Sequence, residues 1–249
     1  MTTATETGRA SLRDRAITAL ALAMTAFHLL AASPLWLAPN LLLRSMHILF
    51  AVVIVFLLQP MPRRKLGHLV DFGLIALSVV TLGYAALHHS AIVVRPPWTM
   101  EASPMELFAA IGAILVILEA TRRSLGMAIV WLCLIFIVYA FVGPELRHVS
   151  WLRPLAHGGV GISEFVDQMY FSFEGLFGTA LGVSAEYIFL FVMFGAVLQV
   201  AGGGDFFITI TRAMTGQSRG GPAKIAVIAS GLMGMMSGRA VANVATTGS

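Results

Sequence analysis

Long apolar runs constrain this chain more than any other feature. A helix of about 20 apolar residues crosses the roughly 30 Å hydrocarbon layer of a bilayer. Six segments approach or reach that length between charged or proline-containing boundaries: 16–33, 44–59, 69–88, 104–120, 124–143 and 183–201. The second reaches it once the preceding NLLL is joined to it. None shows the apolar-polar alternation of a membrane barrel strand, whereas a helix satisfies its backbone groups internally. With 58% hydrophobic and 11% charged residues, against about 25% charged in soluble domains, there is too little polar material to coat a soluble surface. The expected fold class is all-α integral membrane, with about six transmembrane helices, an interfacial helix and the start of a re-entrant helical hairpin.

The N-terminus imitates a signal peptide, with Arg9, Arg13 and Arg15 before an apolar run ending in AAS. Pro34 directly after AAS fits cleavage poorly, so the run is read as a retained helix. The net charge of +4 forms no basic stripe, which argues against nucleic acid as a partner and leaves the cations to report topology. Arg9, Arg13, Arg15, Arg63, Arg64, Lys65, Arg122, Arg123, Arg212, Arg219 and Lys224 fall on one side of a six-crossing arrangement, and Arg44, Arg95, Arg147 and Arg153 on the other. The first set predicts a cytoplasmic N-terminus. The single Cys133 excludes an intramolecular disulfide and a cysteine metal cluster.

Between the spans, 144–182 is a long segment on the outside in that arrangement. Within it Ile162, Phe165, Val166 and Met169 recur at helical spacing, with Glu164, Asp167 and Gln168 between them. A helix lying in the interface and a solvated connecting helix both fit. Residues 89–104 read as a proline-interrupted loop whose Trp98 suits the aromatic belt. Asp71, Glu106, Glu119 and Glu186 sit near helix ends, within reach of headgroups, and His28 and His47 lie deep enough to pair between the first two helices. No GxSxG, HExxH or phosphate-loop pattern occurs, so hydrolase or ATPase chemistry has no residues to rest on. A change from Leu- and Ala-rich to Gly-rich sequence places a module boundary near Thr121–Ser124, giving 1–120 as a four-helix module and 121–249 as a second part.

After GQSRGG the chain reads PAKIAVIASGLMGMMSGRAVANVATTGS. Pro222 suits the first turn of a helix. From there to Met236 the helix reaches only about 22 Å, short of the bilayer, before the polar, flexible break at Ser237, Gly238 and Arg239. Such a discontinuity is tolerated at membrane depth only when it is buried in protein or lines a wet cavity. It leaves unpaired carbonyls at one helix end and unpaired N–H groups at the next, the ends that secondary transporters use to bind ions and solutes. Ser237, Asn243, Thr246, Thr247 and Ser249 add neutral oxygen ligands. Small residues here also permit close helix packing.

The stretches EGLFGTALGVSAEYIFLFVMFGAVLQVAGGGDFF, TGQSRGGPAKIAVIASGL and SGRAVANVATTGS resemble, in order and spacing, the fused permease of tripartite ATP-independent periplasmic (TRAP) transporters, in the TAXI-type branch. Residues 1–120 resemble its small membrane subunit. The resemblance implies a sodium-coupled secondary importer in the bacterial inner membrane, taking an organic anion from a periplasmic TAXI-type solute receptor by an elevator-like movement. Sodium is the coupling ion, and no cofactor or catalytic residue is expected. It nominates Ser237, Gly238, Ala240, Val241, Ala242 and Asn243, with Thr246, Thr247 and Gly248 behind them, as the ion and substrate region. Arg239 is atypical, standing where the family has a small residue; impaired ion binding, an anion contact and a non-functional copy all stand open. The family continues beyond the position of Ser249, so a missing C-terminal permease half is an expected partner. The rival function is a non-transporting membrane scaffold or bracing subunit, or a degenerate permease fragment.

Overall fold

The computed structural model describes residues 11–61, 66–96, 101–215 and 221–237, and among these every regular element is helical. The chain forms two compact units, Met1–Val183 and Ser184–Ser249.

The first unit contains α1 (Leu12–Ala32), α2 (Asn40–Leu58), α3 (Gly67–Leu87), the short α4 (His89–Val93), α5 (Pro104–Leu125), α6 (Met127–Val142), α7 (Ile162–Tyr170) and α8 (Thr179–Val183). Local chemistry sets several of these ends. Ser11 caps α1, accepting from the Asp14 N–H while Asp14 accepts from the Ser11 N–H. Ser103 and Glu106 make the same reciprocal pair on α5, with Pro104 as its first residue. Each box satisfies N–H groups that a helix start leaves over. Gly126, at φ +88, ends α5 and starts α6. This left-handed backbone is costly for any residue with a Cβ.

The core of this unit lies between α2, α3, α5 and α7, around Leu41, Phe56, Leu82, Val116, Tyr170 and Phe177. Helix α5 turns a small-residue face inward, with Ala109, Ala110 and Ala113 fully buried. A Cβ on Gly112 would lie 2.6 Å from Thr81 Cγ2, so the glycine lets α5 press against α3. Close approach matters in lipid, where dispersion and polar contacts, rather than exclusion from water, hold helices together.

In the second unit a π-helical turn (Ser184–Ile188) leads into α9 (Phe189–Val200), followed by α10 (Gly203–Thr215) and α11 (Gly221–Ser237). Gly202, at φ +87, makes the turn between α9 and α10. Helix α11 packs on α9 and α10, and Ala229 is its fully buried contact.

Among the described residues, five helical runs are long and apolar enough to cross a membrane: α1, α2, α3, α5 and Thr179–Val200. They match five of the six expected spans, and α2 begins at Asn40, with NLLL included. The sixth, expected over 124–143, is the 16-residue α6, about 24 Å long, because Gly126 breaks the helix at one end. At the other end Gly143 admits the ring of His157, whose Nε2 lies 3.0 Å from the Tyr139 carbonyl oxygen.

The segment weighed as interfacial or solvated is neither free of protein nor a span. Helix α7 buries Val166, Asp167 and Tyr170, and it packs against α5. The Tyr170 hydroxyl donates to the Thr81 carbonyl oxygen of α3, and burial pushes its phenol pKa up.

Candidate functional site

Of the residues nominated for the ion and substrate region, Ser237 is the last residue of α11. Gly238, Arg239, Ala240, Val241, Ala242, Asn243, Thr246, Thr247 and Gly248 lie outside the described residues. Helix α11, which leads up to them, begins at Gly221–Pro222 and runs 17 residues to Ser237, about 25 Å. Its sequence is rich in Ala, Gly and Ser, which allows close packing against α9 and α10.

Of the acidic residues read as within reach of headgroups, Asp71, Glu106 and Glu119 are paired with arginine side chains. Near one end of α5, Arg95 Nη1 lies 2.6 Å from Glu106 Oε1 and its Nε 3.0 Å from Asp167 Oδ1, with the Phe171 ring 4.6 Å away. The Arg95 and Asp167 side chains are 9% and 6% exposed, so this network is buried. Near the other end, Arg123 Nη1 donates to Asp71 Oδ1 at 2.6 Å and to the Gln59 carbonyl oxygen at 3.1 Å. Its Nε reaches Glu119 Oε1 at 2.7 Å, and Arg122 forms a two-point pair with the same carboxylate. The Asp71 carboxylate also accepts from the Met61 N–H. Burial of a charge is tolerated when it is paired and hydrogen-bonded in this way.

His28 and His47 do pair between α1 and α2. His28 Nδ1 lies 2.7 Å from the Met24 carbonyl oxygen, which can only accept, so that nitrogen carries the proton. Nε2 of His28 is then the acceptor for the Nδ1–H of His47 at 2.9 Å. Helix α1 is tied a second time by Arg13, which donates to the carbonyl oxygens of Leu57 and Leu58 at the end of α2. Among the described residues no group of His, Cys, Asp or Glu is placed to hold a metal ion.

Arg44 was read only as a helix-end cation. It donates to the carbonyl oxygens of Phe177 at 2.9 Å and Gly178 at 3.4 Å, in the GLFG segment that sequence reading had singled out without a partner. That segment turns tightly because Gly175 sits where a Cβ would meet the Met169 backbone at 2.4 Å. No sequence signal joins positions 133 residues apart. Helix α10 was also missed, although Asp205 in its first turn and Arg212 in its last are the charge signature of a helix.

Comparison with known proteins adds family to this geometry. No curated protein and no solved structure matches the chain. The family model described as the DctM component of the tripartite ATP-independent periplasmic transporter matches residues 112–249. It takes in α5 from Gly112 onward, all of α6 to α11 and the residues beyond. With more than half of its length so matched, the chain belongs to the DctM component family of tripartite ATP-independent periplasmic transporters.

Proposed function

We propose that this chain is the membrane permease component of a sodium-coupled importer that takes an organic anion from a TAXI-type periplasmic receptor across the bacterial inner membrane. Family membership makes it a multi-pass membrane component of a receptor-dependent transporter, and its family is one of transporters, not enzymes. The observation that carries the finer reading is the arm-and-break arrangement. A short apolar helix of 17 residues, α11, leads directly into SGRAVAN within the family match. A helix end at membrane depth presents bare carbonyls or N–H groups to an ion or an anionic solute. Ser237, Gly238, Ala240, Val241, Ala242, Asn243, Thr246, Thr247 and Gly248 supply the lining, and Arg239 adds a cation to it.

The domain reading accompanies this one. Residues 1–120 act as a small-subunit-like module and 121–249 as part of the large subunit. The N-terminus is cytoplasmic.

The test is uptake by proteoliposomes containing the protein and its receptor, with and without a sodium gradient. Asn243→Leu removes an ion ligand of about 1.5–3 kcal/mol, so sodium affinity falls about tenfold to a hundredfold and uptake at limiting sodium falls with it. Sodium-independent uptake, or an Asn243→Leu variant with unchanged sodium dependence, would sink the proposal. A second reading, a bracing scaffold, draws on the two ionic networks that tie the first unit together. It predicts that Asn243→Leu leaves the sodium dependence of uptake unchanged, whereas Arg95→Met, which breaks one of those networks, lowers uptake.

A further inference from the structure

The run Thr179–Val200 is long and apolar enough to cross a membrane, yet it is not α-helical throughout. Helix α8 (Thr179–Val183) gives way to the π-helical turn Ser184–Ile188 before α9 begins. A π-turn spreads its hydrogen bonds from i to i+5 and is one of the few recognised places where a helix bends sharply. It also coincides with a change in packing, since the first compact unit ends at Val183 and the second begins at Ser184.

The residues just before the turn are fastened. Arg44 donates to the carbonyl oxygens of Phe177 and Gly178, and its guanidinium lies 5.3 Å from the Phe173 ring. It presses so closely on α8 that a Cβ at Gly182 would stand 2.5 Å from its Nη2. Gly182 itself donates to the Gly178 carbonyl at 3.0 Å. A clamped stretch of helix therefore runs straight into a turn of the kind at which helices bend sharply.

We propose that the π-turn Ser184–Ile188 is a pivot inside this span, and that Arg44 is the positioning residue that holds the arm before it still. Bending is then confined to the turn and leaves α8 in place on the first unit. The purpose of such a pivot, a change of shape during transport, rests on the permease reading; its geometry does not.

The experiment uses the full chain in lipid nanodiscs, in a Cys133→Ser background, with spin labels at two pairs of exposed positions. Ala180 with Val197 brackets the turn, and Leu37 with Ala180 lies wholly in the first unit. The first pair is expected to give a distance distribution at least twice as wide as the second. Deleting Ala185, which takes one residue out of the turn, narrows the first pair to the width of the second. Arg44→Gln broadens the second. Equal widths in the unaltered chain overturn the pivot, as does a deletion variant that folds and keeps the broad distribution. An unchanged Leu37–Ala180 distribution in Arg44→Gln overturns the role of Arg44. Amide hydrogen exchange on the unaltered chain needs no variant to fold: amides of 184–188 should exchange at least tenfold faster than those of 193–199, and equal rates overturn the proposal. Loss of the transport reading in the Asn243 assay would leave these distances and rates untouched, so the two failures are distinguishable.

Discussion

At the scale of residues, the arginines explain how a chain with few charges keeps several of them away from water. Arg44, Arg95 and Arg123 each lie within about 5 Å of an aromatic ring and each reaches backbone or carboxylate oxygens. The planar guanidinium serves both contacts at once, which an ammonium does less well. Removing one member of a buried ion pair leaves the other uncompensated, at a cost of about 3–5 kcal/mol. Arg95→Met is therefore expected to lower the thermal unfolding temperature in detergent by several degrees, since it leaves Glu106 and Asp167 facing each other. Combining it with Asp167→Leu should cost less than the sum of the two single changes. An Arg95→Met variant that unfolds with the parent would show that the network contributes nothing. Sequence reading identified these carboxylates and the His28–His47 pair as sites of interest. It could pair the histidines, because both sit on adjacent helices of one hairpin. It could not pair Arg123 with Asp71, 52 residues away, because nothing local encodes which helix faces which.

At the scale of elements, period and length were legible, and the exact breaks depended on single residues. Two glycines illustrate the difference. Gly126, at φ +88, separates α5 from α6, and a side chain there is strained by about 1–3 kcal/mol. Gly73 lies inside α3 with nothing within 4 Å of a Cβ placed on it, so alanine there gains about 0.5–1 kcal/mol of helix propensity. Gly126→Ala should lower the unfolding temperature and Gly73→Ala should hold or raise it, read by the same thermal scan. A Gly126→Ala variant that unfolds no earlier than the parent would mean that the break between α5 and α6 is not held by backbone conformation. The helix in the 124–143 run starts only at Met127, and the expected loop 89–104 contains a short helix, for a related reason. Hydropathy does not register the backbone angle at Gly126, and the short α4 (His89–Val93) is one turn and a half, too brief to show a period.

At the scale of the whole molecule, two divisions of the chain must be kept apart. Composition changes near residue 120 and the family match begins at 112, whereas the packing divides at Val183 and Ser184. The first division concerns kinship and the second concerns contact. The segment 121–183 is held to the preceding helices by Arg123, Arg95, Arg44 and Tyr170, so it belongs by contact with helices it differs from in composition. Orientation is a prediction at this scale. With Cys133→Ser as background, a membrane-impermeant maleimide should label Arg64→Cys only from the cytoplasmic side and Trp151→Cys only from the opposite side. Labelling of both from one side would mean that α6 does not cross, and reversal of both would invert the proposed topology. The sequence by itself determined that the chain is helical and lives in a bilayer, and it located the short helix that ends at Ser237, because hydrocarbon thickness and backbone hydrogen bonding favour helices for such runs. Only the tertiary structure decided which charges neutralise one another, where the two compact units part and which turn of a membrane-length helix is π-helical, because these depend on contacts between residues far apart in the chain, and in lipid such contacts follow from shape and polar pairing rather than from the apolar pattern.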